Sequence, residues 1–406
     1  MKKVISTEKI PIKLWTDNIE EGALKQAKNL ANLPFVYKWI SIMPDVHQGY
    51  GMPIGGVMAT QGVIVPNAVG VDIGCGMCAV KTSLADIDRE TLKKIMGEIR
   101  KVIPVGFSHQ QKAQDENLMP KVKKWINKEI FDGTEYKELY PIVGDQYLSA
   151  RKQIGTLGGG NHFIEIQKGS DSFIWIMIHS GSRNIGYKVA EYYNKLAVSL
   201  NKKWFSQVPK EWELAFLPMD SEEGQSYLRE MNYCVEFALA NRKLMMDRVI
   251  ECFRVNLVKD GMITIMDTES MINIAHNYAS LENHFGENVW IHRKGATLAR
   301  EGTIGIIPGS QGSSSYIVKG KGNKDSFESC SHGAGRRMGR KQAQRELVLE
   351  DEVKRLDDMG VIHSIRGVKD LDEATGSYKP IEQVMNNQKD LVDIEVELRP
   401  LCVIKG

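Results

Sequence analysis

The sequence predicts an α+β fold built as one unit, with mixed or antiparallel strands at the centre, helices packed outside, and a site in a cleft lined by loops at strand ends. Three observations lead there. The runs 163–166 and 173–178 are rich in β-branched and aromatic residues, and the turn-forming Lys168-Gly169-Ser170-Asp171 between them marks a hairpin. The run 394–404 alternates as a strand does. Neither an internal repeat nor a long linker interrupts the 406 residues, so a single domain over 1–406 is expected.

Composition narrows the class. At 42% hydrophobic and 26% charged residues the chain is an ordinary globular protein with material for a sizeable core. Its 53 Lys and Arg against 51 Asp and Glu leave a net charge of +2, so nucleic-acid binding has to rest on local patches, of which 121–128 and 319–345 qualify. Glu8, Lys9 and Lys13 interrupt any signal-peptide core, and no run is long enough to span a bilayer. Six cysteines scattered at 75, 78, 234, 252, 330 and 402 are unlike a secreted disulfide framework, so a cytosolic protein is expected.

In chain order, 19–33 reads as a helix and 37–43 as a strand running into Pro44-Asp45-Val46-His47, a loop in which Asp45 and His47 are free to act. Residues 53–66 alternate small and β-branched side chains, and 85–101 is a helix. The charged stretch 109–146 reads as a surface excursion. After the hairpin, Ile185, Val189, Tyr193, Leu196 and Leu200 recur at helical spacing with Asn184 as the expected N-cap. A longer helix spans 220–257, with Asp220 and Glu223 in capping-box positions and its Met and Cys residues assigned to the core. A basic helix is expected over 340–356, and the last strand ends in Lys405, placed to be held beside the sheet.

The chemistry concentrates at strand ends. His162 enters one strand of the hairpin and His179 leaves the other, so an antiparallel pairing brings both imidazoles to one end of the sheet. Either histidine alone could be a core residue beside a glycine-rich turn. Asp72 and Cys75 sit in a backbone made pliable by Gly70, Gly74 and Gly76, and a carboxylate and a thiolate near two histidines suit a transition metal. Cys75-x-x-Cys78 has a competing reading as a redox pair or half a zinc site, although no second CxxC exists. Three glycines before Asn161 and the Gly- and Ser-rich run 307–316 offer amides and hydroxyls to a nucleotide, and His332 lies in a flexible loop flanked by Arg336 and Arg337. A P-loop and HExxH are both absent. These residues alone point to a metal-dependent enzyme acting on a phosphorylated substrate.

The ordered set Val69-Gly-Val-Asp-Ile-Gly-Cys-Gly-Met77, Gly160-Asn-His-Phe-Ile-Glu165, His179-Ser-Gly-Ser-Arg183, His276-Asn-Tyr278, Pro308-Gly-Ser310 and Ser331-His-Gly-Ala-Gly-Arg336 resembles the RtcB family of GTP-dependent RNA ligases over nearly the whole chain. The resemblance implies joining of 2′,3′-cyclic phosphate or 3′-phosphate RNA ends to 5′-hydroxyl ends, with GTP and two manganese ions. It implies Asp72, Cys75, His162, His179 and His276 as metal ligands, Cys75 as the bridging thiolate, and His332 as the catalytic nucleophile that takes GMP. The guanylate site it implies runs over Asn161, His162, Phe163, Ile164 and Glu165, over His276 and Asn277, along Pro308, Gly309, Ser310, Gln311 and Ser315, over His332, Gly333, Ala334 and Gly335, and on to Tyr378 and Lys405. Arg183 and Arg336 are implied to meet RNA, and Asp45 or His47 to accept the proton of the 5′-hydroxyl. A phosphoesterase without a covalent guanylate, or an RNA-binding accessory of translation, are the alternatives. Cys78, Gln48-Gly49-Tyr50, Gln311 and Arg337 depart from the family pattern. The physiological RNA (a tRNA or a ribosomal RNA), an activating protein partner and the oligomeric state leave no separate signature.

Overall fold

The computed structural model describes residues 1–121, 140–259, 262–263 and 266–406. The first of its two large sheets combines β1 (Lys3–Ile5), β2 (Ile12–Leu14), β3 (Val36–His47) and β4 (Ile54–Thr60) with two strands from far along the chain, β9 (Asn277–His284) and β10 (Glu287–Lys294), in the order β1-β2-β3-β4-β10-β9. The second is built from β5 (Gly76–Lys81), β6 (Phe163–Gly169), β7 (Ile174–Ser180), β8 (Ile272–Ala275), β11 (Ile304–Ile307), β12 (Ser315–Gly320) and β13 (Val392–Lys405), ordered β8-β5-β7-β6-β13-β12-β11. Only β2 and β3 pair in parallel within them; the other neighbours are antiparallel, as expected for the α+β class. An apolar cluster containing Val57 and Ile291 of the first sheet and Ile307 and Val318 of the second joins the two.

The hairpin forms with Phe163 opposite His179, but its turn starts later than expected. Lys168 still pairs with Ile174, and Gly169 N donates to Phe173 O, so the reversal falls on Ser170 to Ser172, with Ser172 at φ 70°. A larger correction concerns Pro44-Asp45-Val46-His47, which is the end of β3 and not a loop. The ladder to β4 slips between Ile42 and His47, and such an irregularity accommodates a proline that has no N–H to give.

The helices lie where the apolar period places them, with ends that differ by up to four residues. α1 (Glu21–Ala31) and α2 (Arg89–Val102) match the expected spans, and Asp88 caps α2 by accepting from Thr91 N. Part of the expected surface excursion is core: α3 (Pro141–Gln153), which begins inside it, buries Val143 among residues of α4 (Arg183–Lys203) and α5 (Glu222–Asn256). The basic run 121–128 falls outside the described residues beyond Lys121. α4 starts at Arg183, so Asn184 is inside its first turn, and Ser221, one residue after Asp220, caps α5 by accepting from Gly224 N. The basic helix is two pieces, α6 (Arg340–Glu346) and α7 (Leu349–Asp358), separated by extended Leu347 and Val348.

Helix α5 is the long strut of the molecule. Met245, Val249 and Phe253 pack with Ile176 and Ile178 of β7, and each such buried side chain contributes about 1.5–3 kcal/mol. On its N-terminal half, buried Glu230 accepts from the amides of Ile142 and Val143 at 2.8 and 2.7 Å, the orphan donors at the start of α3. Burial is the largest influence on that carboxyl and raises its pKa from 4.5 to about 7. A raised folded-state value means that its contribution to stability is complete below about pH 4.5 and is lost as pH rises through about 7. Glu230→Gln is therefore expected to flatten the stability profile by up to about 3 kcal/mol over that window, which urea melts at a series of pH values would measure.

Candidate active site

The strand order of the second sheet assembles a site from distant residues. Along β8-β5-β7-β6-β13 each strand reverses its neighbour, so the end of β8, the start of β5, the end of β7, the start of β6 and the end of β13 share one edge. His276 follows β8, Cys75 precedes β5, His179 lies in the last turn of β7, His162 precedes β6, and Lys405 closes β13 opposite Phe163. His276 is also the one residue between β8 and β9, at the point where the chain passes from one sheet to the other.

Cys75 Sγ lies 3.5 Å from His162 Nε2 and 3.3 Å from His179 Nε2, and His162 Nε2 is 3.2 Å from Asp72 Oδ2. The sulfur and both nitrogens fall within 4.8 Å of one another, close enough to share an ion. Each imidazole is oriented from behind, His162 Nδ1 by Leu157 O and His179 Nδ1 by Asn161 O, both at 3.0 Å. Protons held at those carbonyls leave the Nε2 lone pairs free, the usual arrangement of histidine ligands. The ring of His276 sits 5.3 Å from that of His179. Burial first, and then the neighbouring imidazoles, hold His179 and His276 well below the usual histidine range, so both are neutral donors. Burial, followed by the Asp72 charge, pushes the Cys75 thiol up, so a metal has to displace its proton. Gly181 makes room for this set, because a Cβ there would come within 2.3 Å of Asp72 Oδ1. The donors fit a transition metal.

Cys78 does not belong to the site. Its side chain sits in the apolar cluster with Ile164, Ile176 and Ile178, where burial raises the thiol to about 12. A redox pair with Cys75 has no support in this arrangement.

His332 approaches the same centre from the other sheet's side. Its Nδ1 lies 2.6 Å from Oδ2 of Asp45, and the same oxygen accepts from His332 N and Gly333 N at 3.1 and 3.3 Å. An oxygen already accepting from two amides is an acceptor for the ring as well, so in the neutral ring Nδ1 carries the proton and Nε2 the lone pair. Asp45 is fully buried and engaged, which overturns its reading as a free loop residue: it is the positioning partner of His332. Gly335, at φ 74°, allows the loop to close on β3, since a Cβ would stand 2.1 Å from Asp45 O. The His332 and His276 rings are 4.7 Å apart.

These groups line a cleft of about 1500 Å³ together with Asn161, Phe163, Glu165, Asn277, Pro308, Gly309, Ser310, Gln311, Gly333, Ala334, Gly335, Tyr378 and Lys405. Two residues of the expected guanylate site lie elsewhere. Ile164 alternates to the far face of β6 and packs in the apolar core, and Ser315 stands behind the loop, accepting from Gly309 N and Gln167 Nε2. Glu165 is buried beneath the cleft, and burial raises its carboxyl to about 8. Arg183 faces the cleft with Nη1 3.5 Å from His162 Nδ1. Arg336 is held by Glu373 at 3.0 Å, above the Tyr378 ring. Sequence reading passed over Glu373, which also takes Arg340 and the Tyr378 hydroxyl, and over buried Lys294, which donates to Tyr50 O and Asn67 O. Neither carries a local signal.

The family model described as tRNA-splicing ligase RtcB matches residues 26–406. The chain belongs to the RtcB family. It is 37% identical to the RNA-splicing ligase RtcB of Escherichia coli K12, over 100% of this chain and 99% of that relative. Similar tRNA-splicing ligases RtcB occur in Thermococcus kodakarensis, 32% identical over 95% of this chain and 92% of the relative, and in Methanococcus maripaludis, 32% over 97% and 93%. The buried cluster of Cys75, His162 and His179 is a metal-capable centre of this RtcB chain.

Substitution separates the two cysteines. Cys75→Ala is expected to lose bound metal, whereas Cys78→Ala should keep it and cost about 1 kcal/mol of stability from the small cavity left in the core. Elemental analysis after dialysis against manganese, paired with a thermal melt, would test this; equal metal content in the two variants would contradict the assignment.

Proposed function

We propose that this chain is an RNA ligase that joins a 2′,3′-cyclic phosphate or 3′-phosphate end to a 5′-hydroxyl end through a guanylate carried on His332. The single observation that supports this best is the orientation of His332. Its Nδ1 is held at 2.6 Å by buried Asp45, which leaves Nε2 as a nucleophile in the cleft that also holds the metal-capable cluster. An imidazole with its Nε2 free in a cleft beside metal-capable side chains suits nucleophilic phosphoryl transfer.

In this reading Asp72, Cys75, His162, His179 and His276 would hold two manganese ions. Bound there, manganese polarises phosphate oxygens and offsets the charge that builds on them. His332 Nε2 attacks the α-phosphorus of GTP; the P–N bond forms, the bond to the β-phosphate oxygen breaks, and pyrophosphate leaves. Asp45 keeps the imidazolium proton at Nδ1 during that step, the task a carboxylate performs behind any imidazole that gains charge. A cyclic end is first hydrolysed to a 3′-phosphate, whose oxygen then takes GMP from His332 and restores the free ring. The 5′-hydroxyl attacks the activated phosphorus, and GMP departs. His47 lines the cleft with Nδ1 3.0 Å from Asp45 O, so its Nε2 lone pair is available for the hydroxyl proton. Burial lowers its pKa to about 4, which keeps the ring neutral at working pH. Lys405, ending β13 beneath the cleft, and the Ser310 hydroxyl are groups to hold the guanylate. Among the described residues no helix is long and apolar enough to cross a membrane.

Incubation with α-labelled GTP and manganese is expected to leave an acid-labile, alkali-stable label on the protein. His332→Ala should lose that label and retain its metal, yet still join an RNA whose 3′-phosphate has been guanylated beforehand. Asp45→Asn should keep the metal and slow guanylation by about 100-fold or more, because the amide no longer enforces the Nδ1–H tautomer. A label that persists in His332→Ala, or that survives acid, would rule out this carrier; metal-dependent opening of a cyclic phosphate with no label would favour a phosphoesterase.

A further inference from the structure

The cleft is larger than the roughly 300–1,000 Å³ that a small ligand uses, at about 1500 Å³, so a nucleotide leaves room for a polymer. Its lining leans positive: seven lysines and arginines face four carboxylates among the described residues. Two aromatic side chains on its lip are largely exposed. Phe107 is fully exposed and Tyr50 is 67% exposed, and both line the cleft.

They stand on opposite flanks of the reacting centre. Phe107 follows Gly106, whose amide donates to Gly158 O at 2.9 Å and whose carbonyl faces Arg183 Nη2 at 3.5 Å, so it belongs to the His162 and Arg183 side. Tyr50 belongs to the His332 side. Its carbonyl accepts from Lys294 Nζ at 2.5 Å, and a Cβ on the next residue, Gly295, would come within 3.0 Å of His332 Cε1. At both positions the neighbouring backbone is tied down while the ring stays in solvent. An aromatic ring kept out of the core, in a cleft also lined by exposed cations such as Arg337 and Lys341, is what a single-stranded nucleic acid needs: a stacking surface with charge in the same cleft to meet phosphates.

We propose that Phe107 and Tyr50 are stacking platforms for terminal RNA bases, one for each of the two ends that the cleft brings together. This rests on the RNA-ligase reading. A ligase has to immobilise two separate ends, and a base stacked on each flank fixes both without regard to sequence. The substrate class that follows is RNA with unpaired terminal nucleotides; a blunt duplex end, whose terminal bases stay stacked on their own helix, is the poorer substrate.

The test uses the full-length, manganese-loaded protein with short RNAs that end in 3′-phosphate and 5′-hydroxyl. Phe107→Ala and Tyr50→Ala should each lower kcat/KM for joining by about 10-fold, mostly through KM, and leave the rate of labelling by GTP unchanged. Phe107→Trp and Tyr50→Phe should restore joining. An abasic nucleotide at one RNA end should mask the effect of one alanine variant, and an abasic nucleotide at the other end should mask the other. Parental kinetics in both alanine variants would overturn the proposal, as would slowed labelling by GTP or coupling of both residues to the same end. Binding of RNAs with terminal 2-aminopurine gives a readout that does not need ligation. If the parental protein joins no RNA, the ligase reading fails by itself. Fluorescence quenching that is lost in the alanine variants would still support stacking, and unchanged quenching would sink it.

Discussion

Asn241 and Arg242, side by side in the middle of α5, tie together the segments on which the metal-capable cluster depends. Asn241 Oδ1 accepts from Gly155 N and Thr156 N, and its Nδ2 donates to Thr156 O, Ser180 Oγ and Gly181 O. Arg242 donates to Gly74 O, Ser180 O and Asn273 Oδ1. One helix turn thus holds the backbone beside Cys75, beside His179 and ahead of His162, and the Asn273 side chain ahead of His276. Both side chains are fully buried, where an unpaired amide or guanidinium is costly, so the segments they bind have little freedom to rearrange. Rigid support of this kind is what keeps the donors of an oxygen-, nitrogen- and sulfur-based metal site at fixed separations.

His332 is positioned by the other sheet. Asp45, near the end of β3, gathers His332 Nδ1 and two loop amides on a single oxygen. The candidate site therefore sits at the seam of two sheets, the metal-capable cluster on one side and the carboxylate that orients His332 on the other. His276 occupies the crossing, a single residue linking β8 to β9, in ring contact with both His179 and His332. Slippage between the sheets would change the distance between the metal-capable cluster and His332, and the apolar cluster that joins them opposes it.

Much of the site was legible because its parts are local. The hairpin pattern around 163–178 predicted that His162 and His179 share an edge, since antiparallel pairing of two strands joined by a short turn admits no other outcome. Glycines before Asn161 and around His332 marked loops open to a ligand, and the ordered motifs carried the family. The fold class followed from strand and helix periods. Errors gathered at boundaries, where the hairpin turn, the caps of α4 and α5 and the split between α6 and α7 differ by small shifts that local propensity does not resolve.

What the sequence by itself determined was therefore the kind of chemistry: which side chains could bind metal, which could attack phosphate, and which strand ends present them. Tertiary structure alone decided the partnerships. Asp45 and His332 are 287 positions apart, and a polar strand end with a proline in it reads as loop until the imidazole and two loop amides are seen to converge on one oxygen of the buried aspartate. Cys75 and Cys78 form a motif in sequence, yet one sulfur points to two histidines and the other into aliphatic side chains, a difference set by strand alternation and by what lies on each face. Ile164 and Ser315 sit among guanylate-motif residues but line no cleft, for the same reason. Local spacing specifies which residues can meet; burial and long-range pairing specify which of them do.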